Sequence, residues 1–509
     1  MTDLLEALLQ SCDRTPHAPA MTLRHRTVSY GDLRERVLAV AASLAHRGLE
    51  PGDRVLFSVR PGIEAVVLAL GIISAGGTVV FADPGAGEAM FRARAGLAAP
   101  RWVAAESLLY AASSGPLRSI ARSRGLALPD YGTVVPDAQH IYSGVWLPGV
   151  PRGALRWSSL SRPARRSRGP RIETPAPIST RSITDEALII FTSGTTDNPK
   201  AVVHSRTSLG AGLGDFAAHI GFVPGERVLT DQLMVGIPAL IGGAHWIMPP
   251  AGADPGARPD RYLDLLPDAD VLFAVPAAMD ALLRLLESTP SRTPRLRLVI
   301  LGGAPVLRPL LQRVRARLGS TAVRAVYGMT EILPVAIADG DEKLAFTGAG
   351  DFVGTIMPSV SARIVDGELV LSGQGLASYL GEASAPELRT GDLARLDGDR
   401  LVLAGRSKDM FIRGTTNVYP GLYEPVIAGL PGVESAALVG VPDEIGDDSL
   451  VLAVVLAPSG DIESVRRALP GLIDAAVLPD RIVALPDLPT KGRSAKLDRV
   501  ALAQLVGAS

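Results

Sequence analysis

The chain has 509 residues, 47% of them hydrophobic, which is enough apolar material for more than one core. Its formal net charge of −1 gives no global field to draw it to nucleic acid or to an anionic membrane. A single cysteine, Cys12, rules out an intramolecular disulfide and fits a reducing, cytoplasmic compartment.

Met1-Thr-Asp-Leu-Leu-Glu has neither a basic stretch nor a long apolar one, so no signal peptide is expected. Cys12 follows in a leucine-rich amphipathic segment and reads as a packing residue. Ser29-Tyr-Gly-Asp-Leu-Arg-Glu-Arg opens a helix that runs to about Arg47, and Pro51-Gly-Asp-Arg-Val-Leu-Phe reads as a turn followed by a strand. Ala65 to Ala82 carries no charge and by length could span a membrane. Ser74, Gly76, Gly77 and Thr78 interrupt it, so the prediction is a buried helix over 63–74, a tight Gly-Gly turn and a buried strand over 78–82, with no membrane span. The alternation of helices with short apolar strands continues and points to α/β layering around parallel sheets.

Residues 151–186 differ. Arg152, Arg156, Arg162, Arg165, Arg166, Arg168 and Arg171 cluster among Ser and Pro, with no acid before Glu173. The segment reads as a solvated basic loop between subdomains; a surface for an anionic partner, such as an acyl carrier protein, is the alternative.

Phe191-Thr-Ser-Gly-Thr-Thr-Asp-Asn-Pro-Lys200 then follows the buried strand Ala187-Leu-Ile-Ile190. Such a loop offers backbone N–H groups, hydroxyls and one cation to an anion, most naturally a polyphosphate. No Gly-Lys-Ser/Thr ends it, so it is not a Walker A loop. Gly302-Gly-Ala-Pro-Val306 follows the strand Leu298 to Leu301. Tyr327-Gly-Met-Thr-Glu331 follows apolar Ala322 to Val326, placing it at a strand's C-terminal end, where α/β ligand sites gather. Arg389-Thr-Gly-Asp392 and, after the strand Arg400 to Ala404, Gly405-Arg-Ser-Lys-Asp-Met come next. Short elements close the chain: strands over 433–441 and 450–456, a helix over 461–469, and the basic run Leu488-Pro-Thr-Lys-Gly-Arg-Ser-Ala-Lys-Leu-Asp-Arg499.

These motifs, in this order from Ser29 to Arg499, resemble the acyl-adenylating superfamily of acyl-CoA synthetases, nonribosomal adenylation domains and luciferases. The resemblance implies a large N-terminal α/β domain of layered subdomains, residues 1–407, which binds ATP and the acid. A small mobile α+β domain, residues 408–509, follows it, with Lys408 at the hinge. It implies ATP, Mg²⁺ and CoA as cofactors. The loop, with Thr192, Ser193, Gly194, Thr195, Thr196 and Lys200, would hold the β- and γ-phosphates. Gly302, Gly303, Ala304, Pro305, Tyr327 and Gly328 would line the adenine pocket, Thr330 would touch the α-phosphate, and Glu331 would hold the metal. Asp392 would accept from the ribose hydroxyls with Arg406 on the same side, Gly414 would give pantetheine room, and Lys496 would be the catalytic lysine, with Lys491 the weaker candidate.

The substrate implied is a carboxylic acid of apolar character. Leu229 to Ile247 should wall its pocket, with Leu233, Met234, Val235, Ile237, Leu240 and Ile241 making that wall apolar. Asp231 lies nearby and reads as a turn or cap residue; an anchor for an ammonium group is the alternative, so an acyl or aryl acid is favoured. The acceptor implied is CoA or a carrier protein. Tyr327 to Ala336 also resembles β-lactone synthetases, in which the substrate's own hydroxyl expels AMP. Asp197, Ala201 and Ala495 stand where the family usually has glycine, and motivate a third reading, a nucleotide-binding homologue with impaired catalysis. Asp197 is expected to weaken ATP binding.

Overall fold

The computed structural model describes residues 3–507 apart from 87, 124–127, 162–184, 192–199, 383, 407–410, 414–415, 419, 443–447, 474–476 and 492–495. The basic segment, the phosphate loop from Thr192 to Asp197, Lys408, Gly414 and Ala495 therefore lie wholly or largely outside the described residues.

The helix read from Ser29 onward spans Tyr30–His46, and its start is fixed by a capping box in which Ser29 and Asp32 satisfy each other's backbone N–H groups. The uncharged stretch forms the helix Ile63–Ser74, nine of whose residues are buried, and the strand Thr78–Phe81. Among the described residues no helix is long and apolar enough to cross a membrane. Cys12 is buried in the same core, and burial pushes its thiol up to about 12, which keeps it protonated and inert.

Among the described residues, two large sheets organise the N-terminal region. One has thirteen strands and the other eight. In the first, Arg227–Leu229, Val271–Ala274, Leu298–Gly302 and Ala322–Met329 run parallel in that order, and Ala322–Met329 then pairs antiparallel with Ile332–Asp339. From there to the edge the sheet stays antiparallel, through Asp351–Ile356, Arg400–Arg406 and Leu388–Asp397. The second sheet is parallel from Gln139–Ser143 across Trp102–Glu106, Arg54–Ser58 and Thr78–Phe81 to Glu186–Phe191. It ends in antiparallel Ala201–Ser205 and the two-residue strand Ser378–Tyr379.

The strand expected to end at Val326 continues through Tyr327 to Met329, so the motif lies within the strand's end; Thr330 and Glu331 form a tip, and Ile332–Asp339 returns. Buried Ile332, Val335, Ala336, Ile337 and Ala338 supply an apolar second strand that a solvent-facing helix could not use. The tip therefore stands where the parallel half of the sheet gives way to the antiparallel half, a topological switch of the kind that opens ligand crevices.

The helix Arg206–Ile220 joins the two sheets. It starts on a Ser205–Ser208 capping box and stops at Gly221, which adopts the left-handed conformation. Gly212 lets it approach the returning strand: a Cβ there would lie 2.4 Å from the carbonyl oxygen of Leu333. Only a residue without a side chain fits that contact.

Beyond the thirteen-stranded sheet, Val433–Pro442, Asp448–Leu456 and Arg481–Ala484 form a three-stranded sheet, antiparallel in its first pair and parallel in its second. One face packs on the helices Pro420–Ile427 and Ile462–Ala468, and Leu307 of the large region packs into that cluster. The other face, with Ala437, Val439, Val451 and Ala453, is covered by Leu488 and Leu497 of the C-terminal hairpin and by Leu502 and Val506 of the last helix.

Candidate active site

The chemistry-bearing residues converge where the antiparallel edge of the eight-stranded sheet meets the parallel-to-antiparallel switch of the thirteen-stranded sheet. From the eight-stranded sheet come Lys200, His204 and Tyr379. The thirteen-stranded sheet contributes Gly302, Tyr327, Thr330, Glu331 and Asp392.

The Thr330–Glu331 tip is held at three points. Buried His204, with 4% of its surface exposed, donates Nε2–H to the Thr330 carbonyl oxygen at 2.7 Å. The amide of Ala377 donates to the Glu331 carbonyl oxygen at 2.8 Å. Tyr379 Oη donates to Glu331 Oε1 at 2.7 Å. Burial lowers the pKa of His204 below the ordinary imidazole value, against weaker upward pulls from the Thr330 carbonyl and Glu331. The ring is therefore neutral near pH 7 and Nε2 carries its proton. Tyr379 is driven upward, chiefly by burial and then by Glu331, so its hydroxyl stays a donor.

Lys200 is exposed, and its Nζ lies 5.5 Å from the centroid of the Tyr379 ring, within cation–π range. Ala201, one of the departures from the family pattern, is buried at the start of the strand Ala201–Ser205. The backbone therefore leaves Lys200 at the strand mouth.

On the other side of the tip, Tyr327 Oη donates to Asp392 Oδ2 at 2.5 Å. Asp392 is 3% exposed, and its own amide donates to Thr390 Oγ1 at 3.0 Å. Gly302 pairs in register with Val326, which sets the turn Gly302-Gly303-Ala304-Pro305 beside Tyr327. Gly303 has φ +85°, a conformation that favours glycine and lets the turn fold back with Gly303 and Pro305 exposed. Arg406 closes the strand Arg400–Arg406, whose residue 406 is paired in register with Asp392.

A metal in this site would have to suit a single carboxylate. Among the described residues no group of three or more His, Cys, Asp or Glu side chains could hold an ion. Glu331 Oε1 accepts from Tyr379, while Oε2 has no hydrogen-bond partner among the described residues. One hard carboxylate oxygen in a site that also holds Lys200 suits Mg²⁺, which commonly binds through one or two carboxylates and a substrate's phosphates.

Lys496 is not brought to this site. It sits exposed in the two-stranded hairpin of Thr490–Lys491 with Lys496–Leu497. That hairpin covers the face of the small sheet opposite the one that receives Leu307. Lys491 bonds Asp498, just after the hairpin's second strand, at 3.3 Å.

Of the expected wall, Leu233, Met234 and Ile237 line an apolar cavity with about 480 Å³ of empty space, part of it open to solvent. Val66, Leu70 and Ile73 face them from the helix Ile63–Ser74, and Leu209 and Leu213 from the helix Arg206–Ile220. Val235 and Leu240 do not line it. Val235 is buried in a different apolar cluster, and Leu240 is buried in the same core as Ile237 but away from the cavity, because a helix over Leu233–Ile241 turns them to other faces. Asp231 does not line it either; its Oδ1 accepts from Gln232 Nε2 at 3.0 Å, and burial raises its pKa. It has the surroundings of a packing carboxylate rather than of an ammonium anchor in this cavity.

Sequence reasoning missed His204 and Tyr379. His204 interrupts the apolar strand Ala201-Val-Val-His-Ser205 with a buried titratable group, which is a signal in itself; Tyr379 carries none locally.

Known proteins share the sequence pattern and the fold of this chain. Residues 8–380 match the AMP-binding enzyme family and residues 423–496 match the AMP-binding enzyme C-terminal domain. The acyl-CoA ligase sidI of Aspergillus fumigatus is 30% identical over 320 residues, 55% of this chain and 52% of that protein's length. A feruloyl-CoA synthase of Amycolatopsis is 29% identical over 94% of each chain. The ATP-bound structure of MatB from Rhodopseudomonas palustris superimposes with a TM-score of 0.76 at 25% identity, covering 100% of this chain and 99% of that one. The chain belongs to the AMP-binding enzyme family, the ATP-dependent adenylate-forming enzymes with an N-terminal and a C-terminal domain, and its relatives include acyl-CoA ligases.

Proposed function

We propose that this enzyme activates an apolar carboxylic acid as its acyl-adenylate and passes the acyl group to the thiol of CoA, releasing AMP and pyrophosphate. The observation that carries the reading is the Thr330–Glu331 tip, pinned by His204, Ala377 and Tyr379 and flanked by Lys200 on one side and the Tyr327–Asp392 pair on the other.

In the first half-reaction, Lys200 and the loop before it take the β- and γ-phosphates. Tyr327 and the Gly302–Pro305 turn take the base, and Asp392 takes the ribose hydroxyls. The Thr330 hydroxyl contacts the α-phosphate. Glu331 would hold Mg²⁺, and a bound ion would supply neutralisation of phosphate charge. The acid's carboxylate oxygen attacks the α-phosphorus, and pyrophosphate leaves. Lys496 bridges the carboxylate and α-phosphate oxygens as charge builds there. Since Lys496 lies on the outer face of the small sheet, the small domain, residues 408–509, must turn about Lys408 to deliver it and turn back to present the 413–420 loop to the thiol. The apolar lining of the cavity behind the helix Arg206–Ile220 supports an acid with a hydrocarbon body rather than an amino acid.

The test is acid-dependent exchange of labelled pyrophosphate into ATP across a panel of carboxylic acids, followed by product mass with and without CoA. Exchange with apolar acids and a thioester only with CoA is expected. A lactone formed from a β-hydroxy acid without thiol would replace the ligase reading with the β-lactone one. Nucleotide binding without exchange for any acid would mark an impaired homologue.

A further inference from the structure

The proposed site includes a ring, Tyr379, that lies outside the motifs read in the sequence. Tyr379 stands in a two-residue strand, Ser378–Tyr379, that pairs with Val202 and Val203 at the edge of the eight-stranded sheet. Its hydroxyl bonds Glu331 Oε1 at 2.7 Å, and its ring face lies 5.5 Å from Lys200 Nζ. Two residues earlier, the amide of Ala377 holds the Glu331 carbonyl oxygen at 2.8 Å. The segment 377–379 thus grips the carboxylate residue by backbone and side chain at once, while Leu380 N bonds the Ala201 carbonyl oxygen at 2.9 Å beside Lys200.

We propose that Tyr379 is a positioning residue that couples the two charges of the nucleotide site: it fixes the rotamer of Glu331 so that Oε2 faces the metal, and it seats Lys200 for the phosphates. The inference rests on the reading of Glu331 as the metal carboxylate. A flexible glutamate reaching for a cation from a strand tip would lose rotamer freedom on binding; a bond from Tyr379 removes that freedom beforehand. The ring does the same for the lysine stem, since a cation held over an aromatic face has fewer arrangements to give up. Because one side chain serves both, removing the hydroxyl and removing the ring have different consequences.

The experiment uses the intact chain with Mn²⁺ as the metal probe, read by electron paramagnetic resonance in the presence of α,β-methylene-ATP, with analogue affinity measured separately in chelator. Tyr379→Phe keeps the ring and loses the hydroxyl. It should weaken Mn²⁺ binding about tenfold, the loss expected for one hydrogen bond to a charged group, while analogue affinity without metal and the thermal midpoint stay at wild-type values. Tyr379→Leu loses both and should also weaken metal-free analogue binding, by about two- to fivefold. Mn²⁺ binding in Tyr379→Phe within about twofold of wild type would overturn the proposal. Glu331→Gln separates the two layers. If it leaves Mn²⁺ binding unchanged, the reading of Glu331 fails; if it weakens binding and Tyr379→Phe does not, the coupling role alone fails.

Discussion

The Thr330–Glu331 tip and the Lys496 hairpin are both two-strand turns that carry residues proposed to act on one phosphate, yet they are built in opposite ways. The first is fastened through its backbone by His204 and Ala377 and through its side chain by Tyr379, between two large sheets. The second lies over the small sheet, on a cluster made only of small-domain residues among those described, with Lys496 exposed. A site that needs fixed electrostatics in both half-reactions gains from a pinned carboxylate. A lysine needed in only the first half-reaction gains from being carried on a unit that can turn away.

This contrast can be broken at several points. Glu331→Gln removes the charge at the pinned tip and should lower pyrophosphate exchange by about 10²-fold, a loss of several kcal/mol of transition-state stabilisation; near-normal exchange would mean that the tip does not hold the metal. Gly212→Ala places a methyl group against the Leu333 carbonyl oxygen. It should cost about 1–3 kcal/mol of stability as helix and hairpin are pushed apart, seen as a lower thermal midpoint together with weaker ATP binding. An unchanged midpoint would show that the helix does not brace the returning strand.

His204→Ala leaves the Thr330 carbonyl without its donor. A cost of about 1–3 kcal/mol in stability is expected, with roughly a tenfold fall in exchange if the tip loosens. The pH dependence has a definite sign. The folded-state pKa of His204 is lowered, so the folded protein disfavours the protonated ring more than the unfolded chain does. Its contribution is fully present above the unfolded value of about 6.5 and is lost as pH falls through the folded value. Thermal midpoints should drop below about pH 6.5 more steeply in wild type than in His204→Ala; equal slopes would contradict this. The smallest effect is expected from Asp197→Gly, which removes a negative charge from the phosphate loop and should tighten apparent ATP affinity about two- to fivefold at low salt. An unchanged affinity would mean that Asp197 points away from the phosphates.

What could be read in the sequence follows the range of the forces involved. The helices over Tyr30–His46 and Ile63–Ser74 are legible because a capping serine, an uncharged run and a Gly-Gly turn are local signals. The strands over Val433–Pro442 and Asp448–Leu456 are legible as apolar runs between turn residues. The approach of Tyr327 to Asp392 follows only from the order of the motifs, and the structure supplies the hydrogen bond. His204 and Tyr379 escaped notice because the groups they hold lie 126 and 48 residues away. The hairpin at Thr330 looks like a strand end in the sequence because its second strand is mostly apolar and lacks the alternation that marks a surface strand. The faces of Leu233–Ile241 could not be assigned without knowing what packs on each side of that helix.

The central claim is that a fixed tip and a delivered lysine divide the chemistry between them, and the split of half-reactions in Lys496→Ala tests it most directly. Acid-dependent pyrophosphate exchange should fall by about 10²–10³-fold, the cost of removing one donor to developing charge, while thioester formation from supplied acyl-adenylate and CoA stays close to the wild-type rate. Near-normal exchange in Lys496→Ala, or equal loss of both half-reactions, would contradict the account.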